Sequence, residues 1–160
     1  MKVLIIYQDF ASAARANSAL QHSVQFPGIQ VEWNIRPWRL DMLKFPPVAN
    51  EALLDALDAN LIVFAGHIVQ AIPFWLQDWL EAWANQRRIA NAALAVLGIE
   101  NSKLLKTFGV SDLKEFARNH GLEVVFDDRN SVPVDPALFD GSLMPPNKAL
   151  FNAIRPHLNN

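Results

Sequence analysis

Cysteine is absent from the 160 residues, and with it go thiol nucleophiles, thiolate zinc sites, cysteine-held iron–sulfur clusters and any disulfide framework. A reducing compartment suits such a chain, and a cytoplasmic location is the expectation. Glycine is scarce, at six residues. None of the six sits in a G-x-G-x-x-G, a G-x-x-x-x-G-K-[ST] or a G-x-S-x-G pattern. A dinucleotide fingerprint, a Walker loop and a nucleophile elbow are therefore all missing. Charge is thin as well: 19% of residues are charged and the formal net charge is −2, against ~25% charged in ordinary soluble domains. Apart from the adjacent Arg87 and Arg88 there is no basic cluster, so a nucleic-acid partner is not expected. No apolar run reaches membrane-spanning length. The opening MKVLIIYQDF is too short in its apolar part for a signal peptide or a span, and no membrane partner is expected.

Metal chemistry finds little footing either. His22, His120 and His157 are far apart, with no ligand-like spacing to each other. Asp127 and Asp128 form the only adjacent carboxylate pair, and beside Arg129 they read as a solvated turn, so no metal site is expected. Asp9 after the first strand suggests a phosphoacceptor receiver only if an aspartate ends the third strand and a lysine ends the fifth. Gly66 with His67, and Asp127 with Asp128, stand there instead.

What the chain does contain is apolar patterning. A length of 160 residues favours one domain, able to bury roughly 70% of its unfolded surface without staples. Residues 2–7 (KVLIIY) and 61–65 (LIVFA) are continuous apolar runs, as expected of strands covered on both faces. Residues 92–97 (AALAVL) and 122–126 (LEVVF) read as further strands, and 29–35 (IQVEWNI) alternates like a strand nearer a sheet edge. Between them lie helical stretches: 13–25 capped by Asp9 or Ser12, 51–59 capped by Asn50, 74–85 opened by Pro73, and 111–120 capped by Ser111 and stopped by Gly121. The segment 36–47 carries Pro37, Pro46 and Pro47 and reads as irregular. A last helix is expected over 147–155.

Strands alternating with helices predict a parallel sheet, and right-handed crossovers leave few topologies. Five strands in this length favour a three-layer α/β/α domain over 1–160 with strand order 2-1-3-4-5. In that order a ligand sits where the connections diverge, at the carboxyl ends of strands 1 and 3. Residues 8–15, 66–72 and 98–103 fall there.

The stretch Ile72, Pro73, Phe74, Trp75, Leu76, Gln77, Asp78, Trp79, Leu80, Glu81 resembles the strand–loop–Ile-Pro–helix segment of NAD(P)H-dependent FMN reductases. A flavodoxin-like fold follows from that resemblance, with FMN as the implied cofactor. Ser12, Arg15 and Asn17 then lie where that family holds the FMN phosphate, and His67, Gln70 and Glu100 lie near the ring. The matching loops differ in content. Val69, Gln70 and Ala71 replace the family's Tyr-Asn-Gly, and residues 98–102 (GIENS) lack its paired glycines, which let backbone approach a flat ring. A second resemblance joins Trp38, Arg39, Asp41 and Leu43 to the tryptophan helix. It is to a group of uncharacterised bacterial proteins, a diverged flavodoxin-like branch.

Two readings stand. In one the chain is an FMN-dependent NAD(P)H oxidoreductase of the flavin or quinone reductase kind. In the other, which the residues favour, it is a non-catalytic binding or interaction domain whose flavin loops are degenerate. Trp75, Trp79 and Trp83 recur at helical spacing, and core packing accounts for most of that stripe. The apolar girth left over points to a homo-oligomer or protein contact through the Trp75/Trp79 region.

Overall fold

A computed structural model of the chain describes residues 1–23, 31–66, 72–97 and 108–126. Five strands form one sheet, all neighbours parallel: β1 (Lys2–Tyr7), β2 (Asn34–Arg39), β3 (Leu61–Ala65), β4 (Ala93–Leu97) and β5 (Glu123–Phe126). Their order is β2-β1-β3-β4-β5, the flavodoxin-like arrangement expected from the sequence. Among the described residues, four α-helices accompany them: α1 (Phe10–Ser23), α2 (Pro46–Ala56), α3 (Phe74–Gln86) and α4 (Phe108–Asn119).

The apolar runs split by parity, because successive side chains of a strand point to opposite faces. Leu4, Ile6, Ile62, Phe64, Leu94 and Val96 share a core with residues of α2, α3 and α4. Val3, Ile5, Leu61, Val63, Ala65, Ala93, Ala95, Leu97 and Val125 share the other with α1. Both faces are therefore covered, which explains why β1, β3 and β4 show no polar alternation.

Helix α3 buries Leu76, Trp79, Leu80, Trp83 and Ala84, the i, i+3, i+4, i+7, i+8 stripe of an amphipathic helix. Trp75 sits at the stripe's edge. The facing helix α2 turns Ala52 and Ala56 inward, and the indoles use the room these small residues leave. The Trp79 Nε1–H donates to the Ala49 carbonyl at 2.9 Å and the Trp83 Nε1–H to the Ala56 carbonyl at 3.0 Å. A third indole, Trp38 of β2, donates to Asp55 Oδ2 at 3.2 Å. Three tryptophans thus pin α2 from two neighbouring elements.

Several boundaries differ from the sequence reading. The second strand is Asn34–Arg39 rather than 29–35. Its register against β1, Lys2 opposite Asn34 through Tyr7 opposite Arg39, is fixed by the neighbour, and alternation alone cannot report where a neighbour begins. Pro37 falls inside this strand, tolerated because β2 is a sheet edge with one unpaired side. A 3₁₀ turn, Leu40–Lys44, follows and buries Leu43. Helix α2 starts at Pro46, not after Asn50. Pro46 and Pro47 occupy its first turn, where no N–H partner is needed and φ is already set, so they open the helix instead of breaking the chain. Helix α1 starts at Phe10, three residues before the expected 13, and α4 starts at Phe108, so Ser111 lies inside it rather than at its cap. Its far end is as expected: Gly121 has φ +64°. Leu122 N–H donates to the Ala117 carbonyl at 2.8 Å and Gly121 N–H to that of Arg118 at 3.4 Å, a Schellman closure. The expected helix over 147–155 lies outside the described residues.

Candidate functional site

The chains leaving β1 and β3 part company here, α1 going to one face of the sheet and α3 to the other. Pairing runs one step past the strands before they separate. Gln8 N–H donates to the Ala65 carbonyl at 2.9 Å, and Gly66 N–H donates to the Leu97 carbonyl at 3.1 Å. The fork is tight: a Cβ built on Gly66, whose φ is +146°, would stand 2.7 Å from Gln8 Cβ and 2.8 Å from Gln8 Oε1. Only glycine fits both that conformation and that approach.

Asp9 opens α1. Its Oδ1 accepts the Ser12 N–H at 2.7 Å, and its carbonyl accepts the Ala13 N–H at 3.0 Å. This is the geometry of an N-cap, and a carboxylate there also meets the positive end of the helix dipole. Of the two cap candidates read from the sequence, Asp9 is the one that serves.

Ser12 instead continues the sheet-facing stripe of Ser12, Ala16, Ala19 and Leu20, spaced i, i+4, i+7, i+8. It is 2% exposed, the sole buried polar residue among those described, and its Oγ accepts a hydrogen bond from Arg15 Nη2 at 3.1 Å. Arg15 itself is exposed. The structure therefore brings Ser12 and Arg15 together. Asn17, half-buried, is set about 140° around the helix from Ser12 and about 7 Å further along its axis, so it does not join them. His67, Gln70 and Glu100 lie outside the described residues.

The rim adds features that the sequence reading passed over. The Tyr7 and Phe10 rings stack tilted at 5.8 Å between centroids, and Phe10 is exposed on the first turn of α1. Across the sheet, Lys44 Nζ stands 5.8 Å from the centroid of Trp75, with Phe74 exposed on α3, Met42 on the 3₁₀ turn and Phe45 just ahead of α2. Trp79 is buried, so it contributes nothing to that surface. The one signal that could have found the Tyr7–Phe10 pair was its spacing across a helix cap.

Among the described residues, no three histidine or acidic side chains converge as a metal site would require. Among them also, no helix is long and apolar enough to cross a membrane. Comparison of the chain with protein-family models, with curated proteins and with solved structures finds no significant match.

Proposed function

We propose that this chain is a non-catalytic binding or interaction domain on a flavodoxin-like scaffold, with the first cofactor loop turned to structural use. The observation that carries this reading is the Asp9–Ser12–Arg15 arrangement. A phosphate held at the start of α1 needs open amides and an outward hydroxyl. Here the Ser12 amide is engaged by the Asp9 carboxylate, and the Ser12 hydroxyl is buried under the helix, where Arg15 takes it. A dianion beside the Asp9 carboxylate would also meet like charge.

Contact with another protein, or with a second copy, falls to the apolar rim around Trp75. Phe74 is 83% exposed and Phe45 56% exposed, and aromatic anchors of this kind are favoured at interfaces. A cytoplasmic setting and descent from the diverged bacterial branch accompany this proposal.

Flavin titration tests it. Under this reading, adding purified protein to FMN leaves flavin fluorescence unchanged at micromolar concentrations, and the mass in solution exceeds that of one chain. An FMN-dependent oxidoreductase would quench the fluorescence, would emerge yellow from cells supplied with riboflavin, and would lose affinity on Arg15→Ala. Any of these results overturns the proposal.

A further inference from the structure

β2 stands at one end of the strand order, with β1 on one flank and no described strand on the other. Four of its residues, Asn34, Arg36, Pro37 and Arg39, are exposed. An edge of this kind offers unpaired amides and carbonyls to any other strand. Which of its groups turn outward therefore decides what it can join.

The register answers that. Asn34 N–H donates to the Met1 carbonyl at 2.9 Å, one residue before its partner Lys2. In a parallel ladder such a residue turns both N–H and C=O to the same neighbour, and the pattern alternates along the strand. Asn34, Arg36 and Trp38 thus bond to β1, while Ile35, Pro37 and Arg39 turn their backbone outward. The middle outward position is Pro37, which has no N–H to give. An incoming strand would meet donors only at Ile35 and Arg39, with the pyrrolidine ring between them where its own carbonyl has to approach.

Charge acts in the same direction. Arg36 and Arg39 are exposed on a strand that carries no acidic residue, so two copies meeting edge to edge would bring like charges together. Asp41 holds Arg39 in a two-pronged pair at 3.1 and 2.8 Å and leaves Arg36 uncompensated by any ion pair among the described residues. Ile35 and Trp38, by contrast, are good strand formers, so the obstacle is local. We infer that Pro37 closes the β2 edge against pairing with the same edge of a second copy, and that an N–H restored at position 37 opens it. Association of the domain is thereby left to its helical surfaces. The inference rests on backbone geometry and is independent of flavin binding and of the Trp75 rim.

Amide exchange in Pro37→Val tests it. In the parent, the Arg36 and Trp38 amides are expected to exchange slowly and those of Ile35 and Arg39 fast, at every protein concentration. In the variant, the amides at positions 35, 37 and 39 are expected to slow by about tenfold or more as concentration rises. The indole N–H signals of Trp79 and Trp83, bonded to α2, are expected to keep their positions and so report an intact core. Pro37→Ala restores the N–H with a smaller side chain and is read in the same way should the valine variant fail to fold. Concentration-dependent slowing at Ile35 and Arg39 in the parent would overturn the proposal, because the edge would then pair in spite of the proline. So would a folded variant whose three outward amides stay fast at every concentration, or one in which they slow without regard to concentration, since a second copy would not be the cause.

Discussion

Gly66 and Asp9 show how single positions set the fork between β1 and β3. At Gly66 two demands coincide, a positive φ and a 2.7 Å approach to Gln8 Cβ. Gly66→Ala is expected to cost on the order of 1–3 kcal/mol, read as a lower urea midpoint. Pairing it with Gln8→Gly separates the causes: the clash is relieved, the unfavourable φ is not, and so only part of the loss returns. If the pair is no better than the sum of its members, crowding is not the reason. Asp9→Ala removes the α1 cap and should cost about 1 kcal/mol, whereas Asp9→Asn, which still accepts a hydrogen bond, should recover most of it. An equal loss in both variants would show that charge rather than capping matters. The cap also shows how much of the site was legible. Asp9 stood in the sequence as one of two candidates, and only the placement of Ser12 on the buried stripe decides between them. That placement depends on where the helix begins, which a run of alanines does not mark.

Elements were legible where burial dictates composition and hidden where the neighbour dictates position. β1 and β3 are apolar throughout because both faces are covered, and so they could be read to the residue. β2 could not, since Pro37 and Arg36 look like loop residues until an adjacent edge is known to tolerate them. In α2, apolar character and burial part company. Leu54 is apolar but exposed, while Ala52 and Ala56 form the inner face, because tryptophans from α3 already fill the space. Trp83 should therefore be the keystone of this pair. It is fully buried and donates to α2, so Trp83→Ala should cost about 3–5 kcal/mol. Trp75→Ala, at the edge of the stripe, should cost clearly less, and thermal melts of the two variants make the comparison. Arg87 joins the carboxyl ends of two helices. Its Nη1 donates to the Ala84 carbonyl of α3, and its Nη2 donates to the His120 carbonyl just past α4 at 2.9 Å. Cations are favoured at helix carboxyl ends, and Arg87→Ala should cost about 1–3 kcal/mol. Arg87→Lys should rescue little, since one ammonium does not reproduce a two-pronged donor. Faster amide exchange at Gly121 and Leu122 in the variants would locate the loss at this junction.

Across the whole molecule, the apolar surplus noticed in the sequence resolves into two parts. Most of it is core: the stripe of α3 and the indoles that pin α2. The remainder is a rim of Phe74, Phe45 and Met42 beside Trp75, next to the carboxyl edge of the sheet. Folding gains almost nothing from a phenylalanine left in water, since the roughly 25 cal/mol per Å² of apolar burial is not collected there. Replacing Phe74 and Phe45 together by serine should accordingly leave the unfolding midpoint within about 0.5 kcal/mol of the parent, as for other surface changes. If the rim is the contact surface, the same double variant should run as a single chain in sedimentation while the parent runs heavier. Stability lost in proportion to mass would mean that the rim belongs to the fold. An unchanged heavy species would place the contact elsewhere, and Phe10 on the far side of the fork is the next exposed aromatic to test.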